Sequence, residues 1–185
     1  MKKPNQMVQM DILGPFYIGN CAQKNYFISC EDDCSRKVVS EWLDRKRSVD
    51  VIDVLEDYIV ENGKPNKVMH DNGKQFKSKI FRRFLKKNNI KDKPIPARYP
   101  QLQGKIEAYN KIVKNEFLAV ENISDVEEGK KIYSMFVKAY NEEREHGGIN
   151  GYTPLEMFLS KGRLNNSSSK KIIKQIKESV THVGK

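Results

Sequence analysis

Three short strand-like segments follow one another near the start of the chain, and each later strand-like segment comes after a helix. The first three span residues 8–13, 26–30 and 38–43, are rich in β-branched or aromatic residues, and are separated by Gly, Asn and Asp turn signals. Consecutive strands assemble most simply as an antiparallel meander, whereas a strand that follows a helix joins the sheet by a crossover. The order therefore predicts a mixed α/β sheet with helices packed on it.

Apolar spacing and capping residues mark the remaining elements. After the meander we predict a helix over 51–59 with Ser48 as N-cap, a strand over 67–70, a basic helix over 78–88, a short strand over 90–95, a long helix from Gly104, a helix over 126–144 and a short helix that begins at Thr153-Pro154. The two added strands bring the predicted sheet to five.

The length of the chain fits one domain and a short tail. Its 185 residues, 38% of them hydrophobic, suffice for one core, which we expect to span residues 1–162. Residues 163–185 contain a linker-like run of Asn and Ser followed by lysines, and they form either a short basic helix or a disordered tail. No apolar run approaches the roughly 18 to 20 residues of a membrane span, and no signal-peptide stretch opens the chain, so we expect neither insertion nor secretion.

Charge and cysteine usage point to a nucleic-acid partner inside the cell. Lys and Arg total 34 against 24 Asp and Glu, which gives a formal net charge of +10 and favours a polyanionic partner. Cys21, Cys30 and Cys34 contain no CxxC pair and lie far in sequence from the histidines. We therefore expect reduced, buried thiols, no zinc site and a cytoplasmic protein.

Two charged runs have a solvent-facing interpretation. Nine basic residues lie between Lys74 and Lys93 with only Asp92 opposing them. They form either a phosphate-binding surface or the solvated face of a helix whose other face is apolar, and both interpretations stay open. The acidic run Glu31-Asp32-Asp33 falls between two predicted strands, and for it we predict a solvated turn with local salt bridges rather than a metal site.

Three other acidic residues occupy positions from which a sheet and a helix can bring them together. Asp11 lies in the first predicted strand, Asp71 at the end of the fourth and Glu107 in the first turn of the long helix. Carboxylates from different elements suit Mg²⁺ or Mn²⁺, and such a site holds two cations about 3.5 to 4 Å apart for an in-line displacement at phosphorus. Asp71-Asn72-Gly73 also fits an ordinary turn.

The long helix carries two stripes. Its apolar stripe consists of Ile106, Tyr109, Val113, Phe117 and Val120, and its polar stripe of Glu107, Asn110, Lys111 and Lys114. A carboxylate, an amide and two lysines on one face suit a ligand that carries both metal and phosphate. The two lysines could instead only solvate the helix, but their place on the face of Glu107 favours substrate contact.

Four motifs in order make the sequence resemble a known family. They are residues 4–11, His70-Asp71-Asn72-Gly73 with Phe76, residues 100–107, and a closing set of Tyr140-Asn141, Arg144, His146 and residues 151–157. Thirty-five residues separate Asp71 from Glu107, a spacing typical of the second and third acids of the retroviral-integrase and insertion-sequence transposase superfamily. Over roughly residues 4–160 the chain is similar to the catalytic core of that superfamily. Val8, Ala108 and Glu145 depart from the residues usual at these motif positions. None of these departures replaces Asp11, Asp71 or Glu107.

The resemblance implies an RNase H-like α/β fold, in which three antiparallel strands are followed by two crossover strands in a five-stranded mixed sheet flanked by helices. It implies Asp11, Asp71 and Glu107 as catalytic residues that bind two Mg²⁺ or Mn²⁺ ions. The resemblance also implies four candidate DNA contacts, which are Lys105, Asn110, Lys111 and Lys114. His70 is then expected to pack or hydrogen-bond rather than act as a base, because metals activate water or a 3′-hydroxyl without one.

The implied activity is DNA cleavage followed by transfer of the 3′-hydroxyl to a target phosphodiester, during integration or transposition. Its partners are transposon ends and target DNA, and since two ends are processed together the working form is at least a dimer. Because the closing motif is common in prokaryotic members, the resemblance also implies a cytoplasmic protein that is associated with nucleoid DNA. Few residues precede the first strand, so we expect recognition of transposon ends to come from another polypeptide, from a region outside this sequence, or not at all.

Two other functions fit the same residues. One is a domesticated or truncated transposase that keeps the fold as a DNA-binding or assembly module; retention of three acids that repel DNA without metal argues against it. The other is an RNase H-like nuclease, which shares the metal site and differs in its substrate.

Overall fold

A computed structural model describes residues 1–19, 22–96 and 100–161, and in it a mixed sheet forms the centre of the molecule. The strands are β1 (Val8–Phe16), β2 (Asn25–Asp32), β3 (Val38–Leu43), β4 (Lys67–His70) and β5 (Lys91–Pro94), and their order across the sheet is β3-β2-β1-β4-β5. β1, β2 and β3 pair antiparallel, whereas β4 is parallel to β1 and β5 to β4. The predicted five-stranded mixed sheet is confirmed.

Helices connect the crossover strands and follow the last one. They are α1 (Ser48–Asn62), α2 (Lys79–Lys87), α3 (Gly104–Ile112), α4 (Val126–Glu142) and α5 (Pro154–Leu159). α3 continues as a π-helical segment, Val113–Leu118. α5 begins with a capping box, in which the Thr153 hydroxyl accepts from the N–H of Glu156 at 3.2 Å, and Pro154 opens the helix as predicted. The N-cap of α1 is Arg47 rather than the predicted Ser48.

Side chains that alternate along the strands bury both faces of the sheet. One face packs on α1 and α2 through residues that include Val8, Met10, Ile28, Leu55 and Phe81. The other face packs on α3 and α4 through residues that include Phe27, Trp42, Tyr109, Phe117 and Tyr133. Because Val8 and Met10 face α1 and α2, the alternation turns Gln9 and Asp11 toward α3.

The prediction of a solvated acidic turn at residues 31–33 is wrong. β2 runs to Asp32 and pairs with β1, so that Glu31 lies opposite Gln9. Glu31, Asp32 and Asp33 are only 1%, 0% and 5% exposed. Hydrogen-bond donors permit the burial of Asp32, which accepts from the backbone N–H of Ser35 at 2.7 Å and of Asn5 at 2.8 Å.

The apolar stripe of the long helix is also shorter than predicted. Ile106, Tyr109, Val113 and Phe117 are fully buried, but Val120 is 69% exposed. The helical segment ends at Leu118, so Val120 no longer follows the helical spacing that would turn it to the core.

The predicted burial of free cysteine side chains is confirmed for the two cysteines among the described residues. Cys30 and Cys34 are free and buried. Cys21 and the tail at residues 163–185 lie outside the described residues. None of the helices described is long and apolar enough to cross a membrane.

Candidate functional site

The first two predicted acids come together because β1 and β4 are parallel neighbours. The register pairs Val8 with Val68 and Met10 with His70. Asp11 and Asp71 are the next residue of each chain segment and therefore lie side by side, where β4 ends beside the middle of β1. The N–H of Gly73 donates to Asp71 Oδ1 at 2.9 Å, which holds this carboxylate in the turn after β4.

The third predicted acid approaches from α3, which packs against β1. Asn110 Nδ2 donates to Asp11 Oδ2 at 2.7 Å. Glu107 precedes Asn110 by three residues, a separation that places two side chains on one helix face. The hydrogen bond therefore turns the face that carries Glu107 toward Asp11, while the Glu107 side chain itself stays exposed.

The three carboxylates share one electrostatic environment. The pKa of Asp11 is raised to about 6, chiefly by burial and also by the negative charges of Asp71 and Glu107. Hydrogen bonds from the Ile12 backbone and from the Asn110 side chain act in the opposite direction. Repulsion of this kind is what a bound cation relieves.

The donor atoms at this place fit a hard divalent cation. Carboxylate oxygens are the ligands that Mg²⁺ and Mn²⁺ prefer, and the Asn110 Oδ1 atom beside them is buried without a hydrogen-bond partner among the described residues. Within the same residues, no three His, Cys, Asp or Glu side chains already stand close enough to hold a metal. Closing the site around a cation thus requires the carboxylates to approach one another, and the exposed Glu107 has the most room to move.

Asp11 and Asp71 line a cleft of about 600 Å³ whose rim is basic. Its other lining residues are Ile12, Lys46, Arg47, Ser48, Gly73, Lys74 and Gln75. Sequence reasoning missed Lys46 and Arg47, although the run Arg45-Lys46-Arg47 directly before α1 was a usable signal. Cations beside the acids give the cleft the charge pattern of a phosphate-binding site.

The four predicted DNA contacts lie in different environments. Asn110 is buried against Asp11, and Lys111 and Lys114 are exposed without an ion pair in the described part of the chain. Lys105 instead reaches Asp33, with Nζ 2.8 Å from Oδ2 and 2.7 Å from the backbone oxygen. The structure therefore places Asn110, but not Lys105, in contact with one of the three predicted metal ligands.

His70 packs and hydrogen-bonds, as expected. Its ring is 1% exposed, stacks on Phe76 at a centroid distance of 4.7 Å, and lies 2.8 Å from Asp92 Oδ1 through Nε2. These contacts account for the residue without a role as a base.

The closing motif docks α4 on the edge of the sheet. Asn141 Oδ1 accepts from the N–H of Val38 at 2.9 Å, and Asn141 Nδ2 donates to the Val38 oxygen at 2.8 Å. The rings of Tyr140 and His146 meet edge to face at 4.8 Å. The motif thus supports the sheet that carries Asp11 and Asp71.

Comparisons with known proteins agree with this architecture. The integrase catalytic core of HTLV-2, solved with magnesium in a trimeric form, has a TM-score of 0.67 at 22% identity and covers 84% of this chain and 97% of its own. A chain of the simian T-cell lymphotropic virus intasome, solved with a PP2A regulatory subunit, has a TM-score of 0.73 at 21% identity, with coverage of 85% and 55%. The fold is that of the RNase H-like integrase cores.

Curated relatives are longer than this chain. An uncharacterized Caenorhabditis elegans protein is 26% identical over 159 residues, which cover 85% of this chain and 12% of that protein. A protein of insertion element IS136 from Agrobacterium fabrum is 23% identical over 99 residues, which cover 52% of this chain and 51% of that protein.

Two family models, both described as integrase core domain, match along the sequence. The first covers residues 1–100 and the second residues 88–154. Because the first match alone spans more than half of the chain, this protein belongs to the integrase core domain family.

Proposed function

We propose that the chain is the catalytic core of a DNA transposase or integrase, a divalent-metal-dependent polynucleotidyl transferase. Asp11, Asp71 and Glu107 are its proposed metal ligands. The observation that carries the proposal is that Asp11 and Asp71 share a basic cleft and that the charges of Asp71 and Glu107 both act on Asp11, in a member of the integrase core domain family. Since the chain spans only part of its curated relatives, the activity of the whole protein is part of the proposal.

The proposed reaction cleaves a phosphodiester and joins the freed 3′-hydroxyl to target DNA. When bound, Mg²⁺ or Mn²⁺ would activate the attacking oxygen and stabilise the leaving one. The chain's own side chains orient the DNA and the ligands. Lys46, Arg47 and Lys74 bind backbone phosphates at the cleft, and Asn110 fixes the Asp11 carboxylate through its hydrogen bond.

The proposed partners are transposon ends, target DNA and at least one further copy of the chain. Two DNA ends must be processed together, which one cleft does not accomplish. Lys111 and Lys114 are proposed to contact phosphate, because they are exposed on the helix that carries Glu107. We place the protein in the cytoplasm, where it meets nucleoid DNA.

The test is cleavage and strand joining on a labelled linear duplex with Mg²⁺ or Mn²⁺. Wild type is expected to give both cleaved and joined products, and Glu107→Gln is expected to lose both. Glu121→Gln is the matched control, because it makes the same change at an exposed carboxylate outside the cleft.

Other outcomes would favour the other functions. Cleavage of RNA or branched DNA without joining would indicate an RNase H-like nuclease. DNA binding without turnover, unchanged in Glu107→Gln, would indicate an assembly module. Full activity in Glu107→Gln would overturn the site assignment itself.

A further inference from the structure

A buried polar network ties the strand of Asp11 to the helix of Glu107 through a residue outside the proposed metal site. That residue is Asp33, which follows β2 and whose side chain is 6% exposed. Its Oδ1 accepts from Gln9 Nε2 at 2.7 Å, and its Oδ2 accepts from Lys105 Nζ at 2.8 Å. The amino group of Met1 also donates to Oδ2, at 2.8 Å.

The two side chains that donate to Asp33, Gln9 and Lys105, each stand two residues from a proposed ligand. Gln9 lies two residues before Asp11 on β1, and Lys105 two residues before Glu107 in the first turn of α3. Gln9 also faces the helix directly, since its Oε1 lies 3.5 Å from the N–H of Ile106. The network therefore connects two elements whose proposed ligands, Asp11 and Glu107, are 96 positions apart in the sequence.

The start of α3 lacks a side-chain cap, although the 3-10 turn Pro100–Gln103 leads into it and Ile106 in its first turn is buried. Its N-cap, Gln103, makes no side-chain capping hydrogen bond, and Gly104 opens the helix. Lys105 compensates for this with two bonds to Asp33, one to the carboxylate and one to the backbone oxygen. Because the Asp33 carboxylate is buried, leaving its charge unpaired is unfavourable, and the ion pair with the partly exposed Lys105 therefore holds the two elements in one arrangement.

We propose that Asp33 is a positioning residue, which clamps the first turn of α3 through Lys105 and Gln9 and so sets the place of Glu107 relative to Asp11 and Asp71. This inference rests on the proposed function. It gives Lys105 a role in the protein in place of the DNA contact that the sequence suggested, and it explains why an acidic side chain is buried on a strongly basic chain.

The test compares Asp33→Asn, Lys105→Met and the double variant, with Lys111→Met as the contrast on the exposed side of the same helix. A displacement of a reacting group by about 1 Å costs up to about 100-fold in rate. We therefore expect kcat for strand cleavage to fall about 10- to 100-fold in each single variant. The double variant is expected to be no slower than the worse single one, because both changes break the same network.

The salt dependence of DNA affinity separates positioning from DNA contact. Lys105→Met is expected to leave the slope of log affinity against log salt unchanged, whereas Lys111→Met lowers its magnitude by about 1. A flatter slope in Lys105→Met with kcat intact would overturn the inference. Lys105→Arg, which keeps the charge beside Asp33, is expected to restore most of kcat.

Hydrogen exchange gives a readout that needs no activity. The amides at the start of α3 are expected to exchange faster in Asp33→Asn and Lys105→Met than in wild type, and at the wild-type rate in Lys111→Met. Unchanged exchange would overturn the clamp even if wild type proved inactive and the proposed function failed. Faster exchange with unchanged kcat would leave a structural clamp and overturn the positioning role. Lys105 is 32% exposed, so its variant keeps the test open if Asp33→Asn does not fold.

Discussion

Glu31 is a buried carboxyl group on β2, only 1% exposed. Both of its carboxylate oxygens are buried without a hydrogen-bond partner in the part of the chain that the structure describes, and the nearest guanidinium atom, Arg36 Nη1, is 3.8 Å away. Burial, with smaller contributions from Asp33 and Asp32, raises the pKa of Glu31 to about 8, although Arg36 and Lys105 act to lower it. The folded protein therefore binds this proton more tightly than the unfolded chain does.

This pKa predicts how stability depends on pH. Because the folded value lies above the usual value of 4.5, the free energy of unfolding should fall as pH rises from 4.5 to about 8, by at most about 1.4 kcal/mol per pH unit. Glu31→Gln should remove that decline and gain about 1 to 3 kcal/mol at pH 8, measured by urea unfolding across the pH range. A loss of stability at pH 8 would instead show that attraction to Arg36 dominates.

For two single residues, Lys111 and Lys114, we predict a contribution to DNA binding. Each change to Gln should weaken DNA binding and lower the salt slope of log affinity by about 1, because each lysine is proposed to neutralise one phosphate. Lys130→Gln is the control, since that ammonium already pairs with Glu127 at 2.7 Å on α4. If the salt slopes of the Lys111 and Lys114 variants match that of the control, the two lysines are solvent-exposed residues without a DNA contact.

At the scale of single elements, the edge strand β3 depends on a side chain far along the chain. Asn141 of α4 supplies both a donor and an acceptor to Val38, completing backbone bonds that an edge strand leaves open. Asn141→Ala should therefore lower the free energy of unfolding by about 1 to 3 kcal/mol. Asn115→Ala, at an exposed position, should stay within about 0.5 kcal/mol in the same urea titration. Equal effects would rule out the docking role.

Elements bounded by local signals were predictable from the sequence. β3 and β4 have the predicted bounds, and α5 begins at its predicted proline, because strand alternation, turn residues and capping residues act within a few positions. β2 extends further than predicted because its acidic end is stabilised by donors such as Asn5, which comes from a distant segment. The ion pair of Asp33 with Lys105 joins residues 72 positions apart, and no local pattern indicates it.

For the site, the sequence predicted the segments that carry Asp11 and Asp71 but not how those segments pair. The crossover into β4 was predictable, whereas the parallel pairing of β4 with β1 that makes the two residues neighbours comes from the structure. That Lys105 turns away to Asp33 while Asn110 reaches Asp11 depends on the rotation of α3 against β1, which the sequence does not specify. The rim residues Lys46 and Arg47 lie in a loop whose path is set by the packing of α1.

At the scale of the whole molecule, a strongly basic chain buries several of its acidic side chains. A formal net charge of +10 coexists with the buried acids Glu31, Asp32 and Asp33 and with Asp11 and Asp71 in a cleft that has a basic rim. Acids in such a cleft oppose DNA unless a cation neutralises them. The proposed metal centre thus requires the sheet and α3 together, since its acids come from β1, from the turn after β4 and from α3.

The most direct test of that centre is anomalous diffraction from crystals soaked in Mn²⁺. We expect manganese peaks ligated by Asp11 and Asp71, with Glu107 turned toward them, and loss of those peaks in crystals of Asp71→Asn. Crystals of Asp92→Asn, the same change at a residue that pairs with His70, should keep them. No peak at these carboxylates under saturating Mn²⁺, with manganese bound elsewhere or not at all, would contradict the proposal that the three acids form a metal centre.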